Sequence, residues 1–322
     1  MNGYQYKFII NPDDPKDWLF DLTYEGETVH QFTWPTGPYE KNECSDTIYV
    51  AGEAVPYHEH KKGIETFLIA KGSVDCVIRG KHTVAREGDI IFLPPYTAHG
   101  FIYLEEGTIW REFFQEINMS SGIMNKHTVM DNYGADFYWE PEFRARYLGK
   151  NEQVVRIPPA NPEEVSREEL PEIRTPEFGF STFNFGDGKI VLRQKVGRWE
   201  THGVREVWQA VLQKGVKVSW NDPYGESELY HLRKGKLRMT IMGDEYIVEP
   251  GAIISIPPYV NREIEVLEDD TELLDAGCSG CMLDMLEDYV TLKATEPAKL
   301  ADPDARRRFM QQYGIYITNV EY

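Results

Sequence analysis

Basic residues are scarce in this sequence of 322 residues. Lysine and arginine together number 34, against 53 aspartates and glutamates, which gives a formal net charge of −19 at pH 7. Nucleic acids and anionic membrane surfaces attract proteins through clustered positive charge. This charge balance therefore predicts no nucleic-acid partner and no membrane partner. The simplest consequence of the acidity is solubility.

Long apolar runs and cysteines are also few. No run approaches the roughly 18 apolar residues that a membrane helix requires. The first residues, MNGYQYKFII, lack the basic segment followed by an apolar segment that marks a secretory signal. Four cysteines are too few for a disulfide framework in a chain of this length. We therefore expect a cytoplasmic protein with reduced cysteines.

An internal repeat organises the sequence. The segments KGSVDCVIRGKHTVAREGDIIFLPPY (71–96) and KGKLRMTIMGDEYIVEPGAIISIPPY (234–259) are related, and an offset of 163 residues holds without a gap from Gly52/Gly215 to Thr108/Thr271. Short runs rich in Val, Ile and aromatic residues, separated by glycine turns, indicate antiparallel β-structure. The repeat therefore predicts an all-β chain of two barrel or sandwich units.

The remaining segments predict how the two units are arranged along the chain. We expect an N-terminal barrel over residues 1–145, a linker or strap over 146–178 and a C-terminal barrel over 179–322. The linker prediction rests on EPEFRARYLGK and IPPANPEEVSREELPEIRTPEF, which are rich in Pro and Glu. The tail DPDARRRFMQQYG predicts a short C-terminal helix with an aspartate as its N-cap.

Histidine is rare, yet the stretch PYHEHKKGIE (56–65) holds two of the 8 histidines one residue apart. Side chains at i and i+2 of a strand share one face, so His58 and His60 point the same way. A turn at Gly63 can bring Glu65 back to that face on a second strand. Such a group is a candidate metal site, but the pair of histidines is also compatible with an ordinary polar strand.

A longer pattern surrounds these residues. It reads G-x5-H-x-H-x4-E-x6-G over 52–72 and, after fifteen further residues, G-x5-P-x-Y-x2-H over 88–99. This pattern resembles the paired motifs of the cupin superfamily over about 50 residues in each half, and the duplication makes the chain similar to the bicupins. The first motif is complete. In the second, Tyr96 replaces the usual glycine, and Tyr103 stands where asparagine often follows.

The resemblance implies a double-stranded β-helix (jelly-roll) barrel in each half. It also implies that His58, His60, Glu65 and His99 bind one divalent metal ion. Three imidazoles and one carboxylate suit Fe, Mn, Ni, Cu, Co or Zn, and they exclude a calcium site, which requires oxygen ligands. We therefore expect one divalent transition metal as the cofactor of each chain.

The second half of the repeat lacks the implied ligands. At the same offset, the three histidines are replaced by Asn221, Pro223 and Arg262, and only Glu228 remains. A proline and a fixed cation cannot bind a metal ion. We therefore expect a metal-free, structural C-terminal barrel, in which Arg262 pairs with Glu228 because a buried carboxylate needs a partner. An organic-anion site built on Arg262 is the alternative.

Strand alternation extends the predicted site into the barrel interior. The side chains predicted to line a substrate pocket lie two and four residues after Glu65 or His99 and so share the face of that ligand: Phe67, Ile69, Phe101 and Tyr103. Such a wall suits a small organic ligand, although aromatic residues also fill barrel cores. The predicted catalytic groups are Glu65, as both ligand and general base, and Tyr103, whose hydroxyl would hydrogen-bond a metal-bound substrate or dioxygen.

These features together predict a metal-dependent enzyme with a small-molecule substrate. Among cupins, they favour an oxidoreductase, a dioxygenase acting on a small aromatic or enol-type compound. Two alternatives stay open: a metal-dependent sugar or hydroxycarbonyl isomerase, which would work without oxygen, and a non-catalytic bicupin that binds a small molecule. Oxalate decarboxylases resemble the chain in their duplication but usually carry ligands in both halves. Since cupin barrels pair through exposed strands, we also expect a homodimer.

Overall fold

The computed structural model describes residues 6–24, 27–33, 43–61, 63–113, 153–221, 227–278 and 280–322. Short β-strands dominate these residues, as the sequence pattern predicts. The chain divides into two compact units. Over the described residues, the N-terminal barrel comprises 18–33 and 43–177, and the C-terminal barrel comprises 6–17 and 178–322.

Fourteen strands and two single-turn 3₁₀ helices precede residue 178 in the described part of the chain. The 3₁₀ helices are Pro15–Asp17 and Arg167–Glu169. The strands are β1 (Ile9–Ile10), β2 (Phe20–Tyr24), β3 (Glu27–Thr33), β4 (Cys44–Tyr49), β5 (Ala54–His60), β6 (Glu65–Lys71), β7 (Ser73–Ile78), β8 (Lys81–Arg86), β9 (Ile90–Leu93), β10 (His99–Tyr103), β11 (Thr108–Phe113), β12 (Gln153–Val155), β13 (Glu163–Glu164) and β14 (Ile173–Arg174).

Two sheets form the N-terminal barrel. The seven-stranded sheet has the order β14-β9-β6-β11-β4-β3-β2, and the six-stranded sheet has the order β12-β5-β10-β7-β8-β13. Neighbouring strands are antiparallel except β13 and β8. Side chains that alternate along the strands point into one buried apolar core, which contains Phe67, Phe101 and Trp110. This is the jelly-roll architecture that the resemblance to the cupins implies.

Eleven strands and three α-helices follow in the described part of the C-terminal barrel, with one 3₁₀ turn at Arg198–Glu200. They are β15 (Thr182–Phe185), β16 (Ile190–Val196), β17 (Glu206–Leu212), β18 (Lys217–Asn221), β19 (Glu228–Lys234), β20 (Leu237–Ile241), β21 (Asp244–Val248), β22 (Ile253–Ile256), β23 (Arg262–Val266), β24 (Thr271–Cys278), α1 (Met282–Thr295), α2 (Pro297–Ala301), α3 (Pro303–Gln311) and β25 (Tyr316–Glu321).

The C-terminal barrel repeats the topology of the N-terminal barrel. Its sheets have the orders β1-β22-β19-β24-β17-β16-β15 and β21-β20-β23-β18-β25. The strand register repeats as well, because Trp110 pairs with Ile69 in one barrel and Leu273 pairs with Leu232 in the other. Both pairs are related by the offset of 163 residues. The duplicated sequence is therefore a duplicated jelly roll.

Short strands from distant parts of the sequence cover one edge of each barrel. Strand β1 lies within the range predicted for the N-terminal barrel but belongs to the C-terminal barrel, where Ile9 pairs with Ile254 on β22. The described part of the predicted linker or strap adds β12, β13 and β14 to the N-terminal barrel, where Ile173 pairs with Ile91 on β9. Since Ile91 and Ile254 are equivalent positions in the repeat, both edges are paired in the same way.

The C-terminal segment contains the predicted helix and further elements. Helix α3 follows Asp302, whose carboxylate accepts a hydrogen bond from the backbone N–H of Asp304 at 3.0 Å, so the predicted helix and its cap are confirmed. Helices α1 and α2 and strand β25 were not predicted. None of the described helices has both the length and the apolar character needed to span a membrane.

Candidate metal centre

Strands of both sheets bring four buried polar side chains together in the N-terminal barrel. His58 and His60 lie on β5, and His99 lies on the adjacent β10, directly opposite His58. Glu65 begins β6 in the other sheet. Each of the four side chains is at least 95% buried. The predicted turn between His60 and Glu65 thus places the carboxylate against the imidazoles.

The spacing of the ligand atoms fits a single ion. One ligand atom from each residue lies within 4.8 Å of the others. His58 Nε2 is 3.1 Å from His60 Nε2, which is 3.0 Å from Glu65 Oε1; His99 Nε2 is 3.3 Å from Glu65 Oε2. Ligand atoms about 2.1 Å from an ion, at right angles, are about 3.0 Å apart. The four residues therefore form a site for one divalent transition metal.

Backbone carbonyls orient two of the imidazoles. His58 Nδ1 lies 2.7 Å from the carbonyl oxygen of Pro56, and His99 Nδ1 lies 2.8 Å from that of Thr97. Because each carbonyl accepts the Nδ1–H, Nε2 is the nitrogen that faces the ligand cluster. Burial, reinforced by the imidazoles of His99 and His60, holds the pKa of His58 well below its usual value. His58 is therefore neutral, as a metal ligand must be.

The carboxyl group of Glu65 has the complementary protonation state. Burial opposes its ionisation, but the imidazoles of His60 and His99 outweigh burial and hold the pKa of Glu65 well below its usual value. Glu65 is thus an anion enclosed by imidazoles. Three nitrogen donors and one carboxylate are the ligands that first-row transition metals accept.

A family comparison agrees with this geometry. Residues 46–109 match the sequence model of the family described as Cupin domain. This segment contains all four ligands and lies within the N-terminal barrel. The N-terminal barrel is a cupin domain.

Solved structures extend the comparison to most of the chain. An oxalate decarboxylase–formate complex from Lactobacillus farciminis has a TM-score of 0.53 at 16% identity, covering 85% of this chain and 86% of that chain. Bacillus subtilis oxalate decarboxylase, described with Mn(II) centres, has a TM-score of 0.50 at 15% identity, covering 86% and 79%. At these identities the likeness shows the fold, which is that of a bicupin. No curated protein has a sequence that matches this chain.

Aromatic rings line the interior of the cupin domain beside the metal ligands. The ring of Phe101 lies 5.3 Å from that of His99. The ring of Trp110 lies 4.1 Å from Phe67 and 4.8 Å from Phe101. The structure thus brings Phe67, Ile69 and Phe101 into one buried core cluster, and a substrate pocket along them stays a prediction. Trp110 was not predicted, although alternation from Thr108 along β11 would have indicated its inward position.

Tyr103 packs in the apolar core of the N-terminal barrel. It is four residues from His99 on β10, a distance of roughly 13 Å along an extended strand. Its ring stacks on Tyr49 with centroids 3.5 Å apart, and the ring of Trp110 lies 5.8 Å away. Burial is the main reason that the pKa of Tyr103 lies well above its usual value. The catalytic role of this hydroxyl stays a prediction.

The C-terminal barrel has a different cluster at the equivalent position. Glu228 and Arg262 form an ion pair, and Asn221 lies at the end of β18. Pro223 lies outside the described residues. Among the described residues, the side chains that lie close enough together to hold a metal ion are the four ligands of the N-terminal barrel.

Proposed function

We propose that the protein is a metal-dependent cupin enzyme, a dioxygenase that acts on a small aromatic or enol-type compound. The observation that carries the proposal is the aromatic wall beside a buried group of three histidines and one glutamate. Phe101 contacts His99, and Trp110 and Phe67 continue the apolar surface along the barrel interior. Such a wall favours a flat apolar substrate that carries one metal-binding oxygen.

The residues of the site have distinct roles in this proposal. A divalent ion held by the four ligands would supply Lewis acidity towards a substrate hydroxyl or enol. Glu65 would accept the proton from that hydroxyl, since its carboxylate is the one anionic group among the ligands. Phe101 and Trp110 would hold the substrate ring and exclude water. The overall reaction inserts both atoms of one dioxygen molecule into the substrate with cleavage of a carbon–carbon bond, so it needs no external reductant.

Oxygen uptake tests the proposed reaction. The protein would be purified without oxygen, loaded separately with Fe(II), Mn(II), Ni(II), Cu(II), Co(II) or Zn(II), and supplied with catechols, flavonols and β-diketones. We expect oxygen consumption equimolar with substrate loss, and both atoms of isotope-labelled dioxygen in the products. Turnover of a substrate at an unchanged rate without oxygen would rule out a dioxygenase and favour an isomerase.

A substitution separates proton transfer from metal binding. Glu65→Gln keeps the size and one ligand oxygen but removes the proton acceptor, so kcat per bound metal should fall by about 10²- to 10⁴-fold. Glu59→Gln is the matched control. Glu59 lies on β5 between His58 and His60, but its carboxylate pairs with Arg156 instead of joining the ligands. Unchanged kcat in Glu65→Gln at equal metal content would remove Glu65 from the proposed chemistry.

Decarboxylation of a small carboxylate is the second candidate. Its support is the likeness of the fold to two oxalate decarboxylases, one of them described with Mn(II) centres. With Mn(II)-loaded protein and oxalate, this candidate predicts equimolar formate and CO₂ without net consumption of dioxygen. The aromatic wall beside His99 offers little hydrogen bonding to so polar a substrate, and for this reason we place the dioxygenase first.

A further inference from the structure

The interior of the C-terminal barrel contains a cavity. Its volume is about 360 Å³, which lies in the range of roughly 300–1,000 Å³ that small-molecule sites occupy. Inward-facing side chains of the sheets, including Leu212, Ile264 and Leu273, form one part of the wall. Met285 on α1, Met310 on α3 and residues of β25 form the rest. The C-terminal segment, from α1 to β25, therefore forms part of the cavity wall.

Comparison of the two barrels explains the space. Leu273 occupies the position of Trp110, and Ile264 occupies that of Phe101, as the repeated strand register shows. In the N-terminal barrel these two aromatic rings pack 4.8 Å apart. Protein interiors are normally close-packed. The smaller side chains at both positions therefore leave a volume that a bound molecule can fill.

Among the described residues that line the cavity, Arg306 is a cation without an ion-pair partner. Arg306 lies on α3 and is partly buried, and among the described residues no carboxylate pairs with it. Its neighbour on the helix, Arg307, pairs with Asp304. A guanidinium at the border of an apolar cavity can form two parallel hydrogen bonds with a carboxylate. Arg306 is therefore suited to hold the head group of an anionic ligand.

Three other polar wall groups, Trp220, Tyr230 and Asp275, already have partners. The Trp220 indole N–H donates to the Tyr230 hydroxyl at 3.1 Å. Asp275 accepts a hydrogen bond from the backbone N–H of Gly277 at 3.1 Å. Burial raises the pKa of Asp275 to about 7. Above that pH its carboxylate would repel an anion, which leaves Arg306 for the head group and the apolar wall for the remainder of the molecule.

We propose that this cavity binds an apolar monocarboxylate with the dimensions of a medium-chain fatty acid. Its carboxylate pairs with Arg306, and its chain lies among Leu212, Ile264 and Leu273. The site is separate from the four metal ligands, and the proposal does not depend on the reaction at those ligands.

Calorimetric titration of the full chain with decanoate and with decanol tests the proposal. We expect one decanoate per chain and at least tenfold weaker binding of decanol. Arg306→Gln should weaken decanoate binding about tenfold and leave decanol binding unchanged. Arg308→Gln is the matched control, because Arg308 lies on the same helix but is exposed and does not line the cavity. Equal affinity for both probes, or equal effects of both substitutions, would overturn the role of Arg306.

Filling the cavity tests its location. Leu273→Trp and, separately, Ile264→Phe introduce the aromatic residues of the N-terminal barrel, and each should abolish binding of both probes in a variant whose circular dichroism is unchanged. Quenching by bromodecanoate in the unsubstituted chain provides a second measurement, because Trp208 and Trp220 line the cavity. His99→Ala should bind decanoate normally. Absence of decanoate binding by the unsubstituted chain, or no quenching on binding, would overturn the proposal.

Discussion

The guanidinium of Arg262 pairs with the carboxylate of Glu228 inside the C-terminal barrel. These residues follow His99 and Glu65 by 163 positions. The glutamate at this position of the repeat is therefore neutralised by an arginine in the C-terminal barrel and lies against imidazoles in the N-terminal barrel. The Arg262 guanidinium also lies 5.0 Å from the Trp220 ring. The ion pair predicted from the sequence is confirmed.

Replacement of the internal cation should cost stability without changing metal content. Arg262→Ala leaves Glu228 buried without its charge partner, so we expect the free energy of unfolding to fall by about 3–5 kcal/mol. Denaturant unfolding and elemental analysis provide the measurement. Arg238→Ala is the control, since its pair with Glu265 is half-exposed and should contribute less than about 1 kcal/mol. Metal loss in Arg262→Ala would contradict a metal-free C-terminal barrel.

Removal of a single imidazole should empty the metal site. His58→Ala and His99→Ala each delete a ligand and should lower metal content from one ion per chain to a small fraction, while the apolar core keeps the barrel folded. Elemental analysis after dialysis gives the metal content, and circular dichroism checks the fold. His82→Ala serves as the control, because His82 pairs with Asp75 away from the ligands. Full metal content in both ligand variants would disprove the site.

Glu206 should make stability depend on pH. Burial raises the pKa of its carboxyl group from 4.5 to about 7, although the Trp208 indole N–H and the backbone N–H of Leu283 donate to it. Since the folded state then holds the proton more tightly than the unfolded state, the protonated carboxyl group adds to the free energy of unfolding. This contribution is complete below about pH 4.5 and is lost as the pH rises through about 7.

Substitution of Glu206 isolates this pH dependence. Glu206→Gln resembles the protonated acid. Between pH 4.5 and pH 8, the free energy of unfolding of the variant should therefore fall by about 1–3 kcal/mol less than that of the unsubstituted protein. Urea unfolding at several pH values measures the difference. Glu268→Gln, at an exposed position, should follow the unsubstituted protein. Parallel pH profiles for all three proteins would refute the assignment.

Tyr96 occupies a backbone conformation that suits glycine. Its φ is 62°, its side chain is 65% exposed, and its N–H donates to the carbonyl oxygen of His60 at 2.7 Å. Tyr96→Gly should change the unfolding free energy by less than about 1 kcal/mol, because relief of strain offsets the entropy of glycine. Tyr96→Val should lower it by about 1–2 kcal/mol, since a branched side chain fits positive φ poorly. Equal effects in thermal unfolding would argue against backbone strain.

Local pattern and resemblance were sufficient for the metal ligands but not for every residue of the pocket. His58, His60 and Glu65 lie within eight residues, so strand alternation and one turn already place them together. Alternation also placed Tyr103 inside the barrel correctly. It does not state which side chain a buried residue contacts, and the stacking of the Tyr103 ring on Tyr49 was not predicted. The predicted homodimer and cytoplasmic location stay predictions.

The sequence by itself determined the duplication and the cap at Asp302, because each follows from a spacing or a residue type that acts locally. Its resemblance to the cupins implied the jelly-roll class and the four metal ligands. Only the tertiary structure decided that β1 pairs with β22 and that Leu273 and Ile264 border a cavity. Strand β1 pairs with β22 because the exposed edge of a sheet needs hydrogen-bond partners. The cavity exists because the smaller side chains at these positions do not fill the volume between the packed sheets.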